Sequence, residues 1–188
     1  MTDGAQSIVA TSSFLTTSSQ AITVAAGPVT RVAITTPAST VAGSSIPFTL
    51  AALDAFGNMG AAYTGTVHFS SSDVQAGLPA DYTFTPADAG IHHFTAVLKS
   101  AGFRTITAAD TLTPTVSGSV TSIYVTPLAV SALSVVGGAG SIGVFRPVTG
   151  TATDIYGNLG SGYNRVVHFA STDPLTLLPA NAALVNGV

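Results

Sequence analysis

The sequence predicts an all-β fold of antiparallel β-sandwiches, with about seven strands to each complete module. Three observations carry that expectation: a composition that starves helices, a period-2 alternation of apolar and polar residues, and a self-match at an offset of 100 residues.

Of 188 residues only 7% are charged, comprising one lysine (Lys99), four arginines (Arg31, Arg104, Arg146, Arg165), eight aspartates and no glutamate. Glu, Lys, Gln and Arg fill exposed helix faces, whereas Thr, Val, Ile, Phe and Tyr favour strands and Gly and Pro punctuate turns. The chain is rich in the second group. Its net charge of −3 leaves little to neutralise a phosphate backbone or to follow an anionic membrane, so nucleic acid is not an expected partner. The mean hydropathy of +0.53 comes from scattered Ala, Val and Ile broken by Ser, Thr and Gly. No window approaches the roughly 18 apolar residues of a spanning helix. With no Trp and five Tyr, the aromatic girdles of a transmembrane barrel are missing too, and no membrane insertion is expected. Without cysteine, neither a disulfide nor a thiolate metal site can form.

The self-match sets the organisation. Asp54-Ala-Phe-Gly57-Asn58-Met-Gly60 returns as Asp154-Ile-Tyr-Gly157-Asn158-Leu-Gly160. Tyr63, Val67-His68-Phe69, Asp73 and Leu78-Pro79-Ala80 return as Tyr163, Val167-His168-Phe169, Asp173 and Leu178-Pro179-Ala180. In the other direction, Gly4 to Ala10 resembles Gly102 to Ala108, and Ala21 to Val24 resembles Ser122 to Val125. The expected division is the C-terminal strands of a preceding module (1–26), one complete module (27–127) and the N-terminal part of a following one (128–188). The first residues lack the basic and apolar regions of a signal peptide. With the repeat pattern, this favours a fragment whose two ends are cut.

Seven strands are expected in the complete module: Arg31 to Thr35, Ile46 to Asp54, Thr64 to Ser70, Tyr82 to Thr85, Ile91 to Lys99, Phe103 to Ala109 and Val120 to Thr126. Ile46, Phe48, Leu50 and Ala52 share one face of the second, Val67 and Phe69 one face of the third, and Phe94, Ala96 and Leu98 one face of the fifth. Seven short alternating strands separated by Gly, Pro, Asp and Asn indicate a sandwich of immunoglobulin-like topology.

The pattern D-x-[FY]-G-N-x-G, then Y-x-x-x-V-H-F, L-P-A, D-x-G-x-H-x-F and A-G-x-x-T-I-T-A-x-D resembles the bacterial immunoglobulin-like repeats of large surface and secreted proteins. It is similar to the stalk modules of invasin and intimin and, more distantly, to filamin repeats. The resemblance implies tandem immunoglobulin-like sandwiches, an extracellular or cell-surface location, and service as spacer, adhesin stalk or accessory domain of an exported enzyme.

Asp54, Gly57, Asn58 and their counterparts Asp154, Gly157, Asn158 are expected to form a structural turn. Asp accepts backbone N–H groups, Gly supplies positive φ, and Asn tolerates the left-handed region. Calcium, which takes about six to eight oxygen ligands, is the alternative for these carboxylates, placed at a junction between modules. No other cofactor is expected. His68, His168, His92 and His93 invite a metal or acid–base site, but alternation puts His68 opposite Val67 and Phe69 and sends His92 and His93 to opposite faces. Gly137-Gly138-Ala139-Gly140 lacks the Lys and helix of a phosphate loop and reads as a strand connection. Tyr63, Tyr163 and Tyr82 are expected to cap the core with their hydroxyls in water. No G-x-S-x-G elbow or Ser, His and Asp arrangement is traceable, so an enzyme is not expected.

The functional expectation is a non-catalytic spacer or stalk whose partners are neighbouring repeats of the same polypeptide. A short joint, Val125 to Ala129 with Pro127, holds them in line. The alternative is an accessory module binding carbohydrate or a surface receptor protein. Strand addition between copies, with residues 4–26 of one chain completing 128–188 of the next, is a further reading of the two ends.

Overall fold

The computed structural model describes residues 2–13, 15–137, 143–144 and 146–188. Of the glycine-rich stretch, Gly138, Ala139 and Gly140 lie outside the described residues. In chain order, β1 (Gly4–Ser12) and β2 (Leu15–Val24) form a hairpin. Then come β3 (Val29–Thr35), β4 (Ser39–Val41), β5 (Ser45–Asp54), β6 (Thr66–Ser71), β7 (Tyr82–Thr83), a 3-10 turn (Pro86–Asp88), β8 (Ile91–Val97), β9 (Gly102–Asp110) and β10 (Ser117–Thr126). Finally β11 (Ala132–Gly137), β12 (Val148–Thr153), β13 (Val166–Val167) and β14 (Ala182–Ala183) follow.

Strands β3 to β10 make two sheets, β3-β5-β8 and β4-β10-β9-β6-β7. All pairings are antiparallel except β4, which runs parallel to β10. The two sheets enclose one apolar core, and the fold is an all-β immunoglobulin-like sandwich. Alternation explains why. On β5 the inward residues Ile46, Phe48, Leu50 and Ala52 are buried, and they share the core with Val67, Phe69, Ile106 and Ile123 of the opposite sheet and with Ala96 and Leu98 at and just past the end of β8. Each large apolar side chain so buried contributes roughly 1.5–3 kcal/mol, and a one-residue slip would turn the whole set into water. Phe48 stacks on Phe94 at 5.4 Å and meets Phe69 edge-on at 5.6 Å, which locks the two sheets across the core.

Two elements lie outside the seven expected strands. Strand β4 is three residues long and owes its conformation to pairing with Tyr124, Val125 and Thr126, so no local alternation announces it. Expected to continue to Thr85, β7 stops at Thr83, because Thr85 starts a 3-10 turn in which Asp88 accepts the Thr85 N–H and hydroxyl at 2.7 and 2.8 Å.

The flanking strands copy parts of this sandwich. In β1-β2, Gly4 pairs with Val24, just as Gly102 pairs with Val125 in β9-β10. In β13-β14, Val166 pairs with Ala183 and Val167 with Ala182, matching Thr66 with Thr83 and Val67 with Tyr82 in β6-β7. The later copy is shorter: the connection that holds the 3-10 turn in the complete module, residues 84–89, is matched by only 184–186, so Gly187 takes the place of Gly90 and its carbonyl accepts the Ala152 N–H as Gly90 accepts that of Ala52. Cover differs as well. Leu133 is 53% exposed where its counterpart Val32 is 3% exposed.

Candidate functional site: the Asp-x-aromatic-Gly-Asn turns

Each turn is organised around one buried carboxylate. Strand β5 ends at Asp54, whose Oδ1 accepts the N–H groups of Phe56 and Asn58, both at 2.8 Å. Its Oδ2 accepts the Gly27 N–H at 2.9 Å and the Asn58 side-chain amide at 2.8 Å. Past the end of β12, Asp154 repeats this: Oδ1 takes Tyr156 and Asn158 N–H at 2.9 Å each, and Oδ2 takes the Leu128 N–H at 3.0 Å and the Asn158 amide at 2.8 Å. Four donors fill each carboxylate. Gly27 and Leu128 are the residues by which the chain approaches β3 and β11, so the Asp that closes the turn also fixes the incoming backbone.

Electrostatics follow. Burial alone pushes the Asp54 carboxyl up, but the bonds from Asn58, Gly27 and Phe56 outweigh it and hold the group below the usual carboxylate range. Asp154 behaves alike, with Asn158, Leu128 and Tyr156 outweighing burial.

The glycines take the left-handed backbone, φ 86° at Gly57 and 83° at Gly157. The asparagines do not. Among the described non-glycine residues only Ala89 and Asn186 have positive φ, so Asn58 and Asn158 are needed for their side chains. This corrects the sequence expectation, and it points to a contact that the motif alone does not disclose. Asn158 Oδ1 accepts the Ala101 N–H at 2.7 Å, and its Nδ2 donates to the Lys99 carbonyl at 2.7 Å. Asn58 Oδ1 likewise accepts the N–H of Asp3, the residue before Gly4, as Ala101 is the residue before Gly102. Both turns therefore reach back to the strand hairpin that precedes them in the chain.

The histidines are scattered. His68 pairs with Asp81 at 2.7 Å and His168 with Asn181 at 2.8 Å, both in the open. His92 bonds Asp88 at 2.7 Å and stacks on Tyr82 at 4.0 Å, while His93 bonds the Thr49 hydroxyl at 2.9 Å on the other face. Among the described residues no group of three or more His, Cys, Asp or Glu is placed to hold a metal ion.

Two tyrosines depart from expectation. The hydroxyls of Tyr63 and Tyr82 do not point to water: Tyr63 donates to Asp110 Oδ2 at 2.5 Å and Tyr82 to Asp88 at 3.0 Å. Each carboxylate is aimed by its own turn, Asp110 by the N–H groups of Leu112 and Thr113 and Asp88 by Thr85.

No protein-family model matches the chain and no curated protein matches it. Among solved structures it is similar to FdeC, described as a broadly conserved Escherichia coli adhesin eliciting protection against urinary tract infections. Identity is 19%, the match covers 83% of this chain and 52% of that one, and the TM-score is 0.44. The chain thus spans about half the length of that structure. The immunoglobulin-like assignment rests on strand order and register, not on this likeness.

Proposed function

We propose that the chain is a non-catalytic structural repeat, a spacer or stalk segment of a bacterial surface or secreted adhesin-like protein, with neighbouring repeats of the same polypeptide as its partners. The observation that carries this reading is the joint. Only Pro127 to Ser131 separate β10 from β11, and Asp154 holds the Leu128 N–H within that stretch. A short joint tied to the unit that follows it supports a line of bricks better than freely turning beads. The polar side chains that invited catalysis or metal binding have structural partners instead.

One observation favours the second reading, an accessory carbohydrate- or protein-binding module. Phe103 and Tyr124 are 68% and 45% exposed and meet edge to face at 5.2 Å on the outer surface of β9-β10. Their counterparts in β1-β2 are Ala5 and Thr23, so this pair does not belong to the repeating framework. Pull-down on insoluble polysaccharides separates the two readings. A spacer stays in the supernatant, whereas retention that F103A and Y124A abolish would establish the binding module.

A further inference from the structure

The connection 99–101 between β8 and β9 has every backbone polar group engaged. Asp73 Oδ2 accepts the N–H groups of Lys99 and Ser100 at 2.5 and 2.9 Å, and its Oδ1 accepts the Ser100 hydroxyl at 2.6 Å. Arg104 donates from Nε to the Ser100 carbonyl at 2.9 Å and from Nη2 to the Ala101 carbonyl at 2.5 Å. Two groups remain, the Lys99 carbonyl and the Ala101 N–H. They present one acceptor and one donor side by side, the complement of a primary carboxamide, and the amide of Asn158 fills both. The second Asn158 amide hydrogen goes to Asp154, so both donors of the side chain are used.

A second contact lies beside it. Tyr156 packs against the core of the preceding sandwich. Its ring covers Gly43, where φ is +79° and where a Cβ would come to 2.7 Å from Cε2 and 2.8 Å from Cζ. Gln75 Nε2 donates to the Tyr156 carbonyl at 3.1 Å, and the Lys99 ammonium stands 6.0 Å from the ring centroid.

We infer that residues 43, 75 and 99–101 form a socket for the Asp-x-aromatic-Gly-Asn turn of the following repeat, and that this clasp fixes the angle between successive units. The socket selects its partner by chemistry: it takes a carboxamide at the fifth turn position, a planar ring at the third, and tolerates no side chain at position 43. Asn158 is a positioning residue. The inference rests on the reading of the units as bricks in a line, and it names what holds them there.

The test is a distance distribution between spin labels across the joint in the full chain. The protein has no cysteine, so labels attach only at L112C and L177C, positions that are 91% and 79% exposed. The native joint gives one narrow distribution. Asn158→Ala at least doubles its width, and so does Gly43→Ala, which leaves the Asn158–Asp154 bond intact and serves if the first variant loosens its own turn. Asn58→Ala, in the other turn, leaves the width unchanged. A narrow native distribution that stays narrow in a folded Gly43→Ala chain and in Asn158→Ala overturns the clasp alone. A broad distribution in the native chain overturns the rigid spacer and the clasp together.

Discussion

Tyr63 and Asp110 are joined by a 2.5 Å hydrogen bond that ties the connection before β6 to the last residue of β9. Asp110 is 6% exposed, so its charge depends on this hydroxyl and on the Leu112 and Thr113 N–H groups. Tyr63→Phe removes one donor and leaves a buried carboxylate underpaired. The expected loss is about 1.5–3 kcal/mol, the range for hydrogen bonds to charged groups. Urea unfolding of both proteins measures it, with the midpoint lowered and the slope unchanged.

Acid and alkali should destabilise the fold for separate reasons. Asp54, Asp73, Asp88, Asp110 and Asp154 are all held below the usual carboxylate value of 3.8. For Asp88 the Thr85 bonds are the main cause, while for the others hydrogen bonds outweigh burial. A group whose folded value is depressed adds stability above its unfolded value, and that stability is lost as pH falls through the folded value. Tyr63 and Tyr82 go the other way, raised above 10.0 by burial and by the neighbouring Asp110 and Asp88. Their contribution is complete below the unfolded value and fades as pH climbs past it. Melting temperature against pH should therefore hold level between about pH 5 and 9 and fall on either side.

Much of this was legible in the sequence because strand alternation is local. The inward faces of β5, β6 and β8 are readable from every second residue, and the recurrence of Asp54 and Asn58 at Asp154 and Asn158 marks the turns. What could not be read is non-local. Strand β4 exists through its parallel partner β10, and the socket is assembled from Gly43, Gln75, Lys99 and Ala101, which share no spacing. Asn158 was visible as a turn residue, but its distinguishing bonds run to residues 57 and 59 positions away. One hint was present: Asp73, which braces the socket loop, recurs as Asp173.

Calcium should leave the protein unmoved. Each turn carboxylate already accepts four N–H donors, and an ion would have to displace them before gaining the oxygens it needs. Thermal melting in millimolar calcium should match a magnesium control. A rise confined to calcium would assign the turns to ion binding.

Solution scattering of the intact chain tests the spacer most directly. A rigid joint predicts a profile fitted by one arrangement of the units, with a Kratky plot that returns towards its baseline and a maximum dimension insensitive to salt. A profile that demands an ensemble of bent arrangements, with the plot rising to a plateau, would contradict the account.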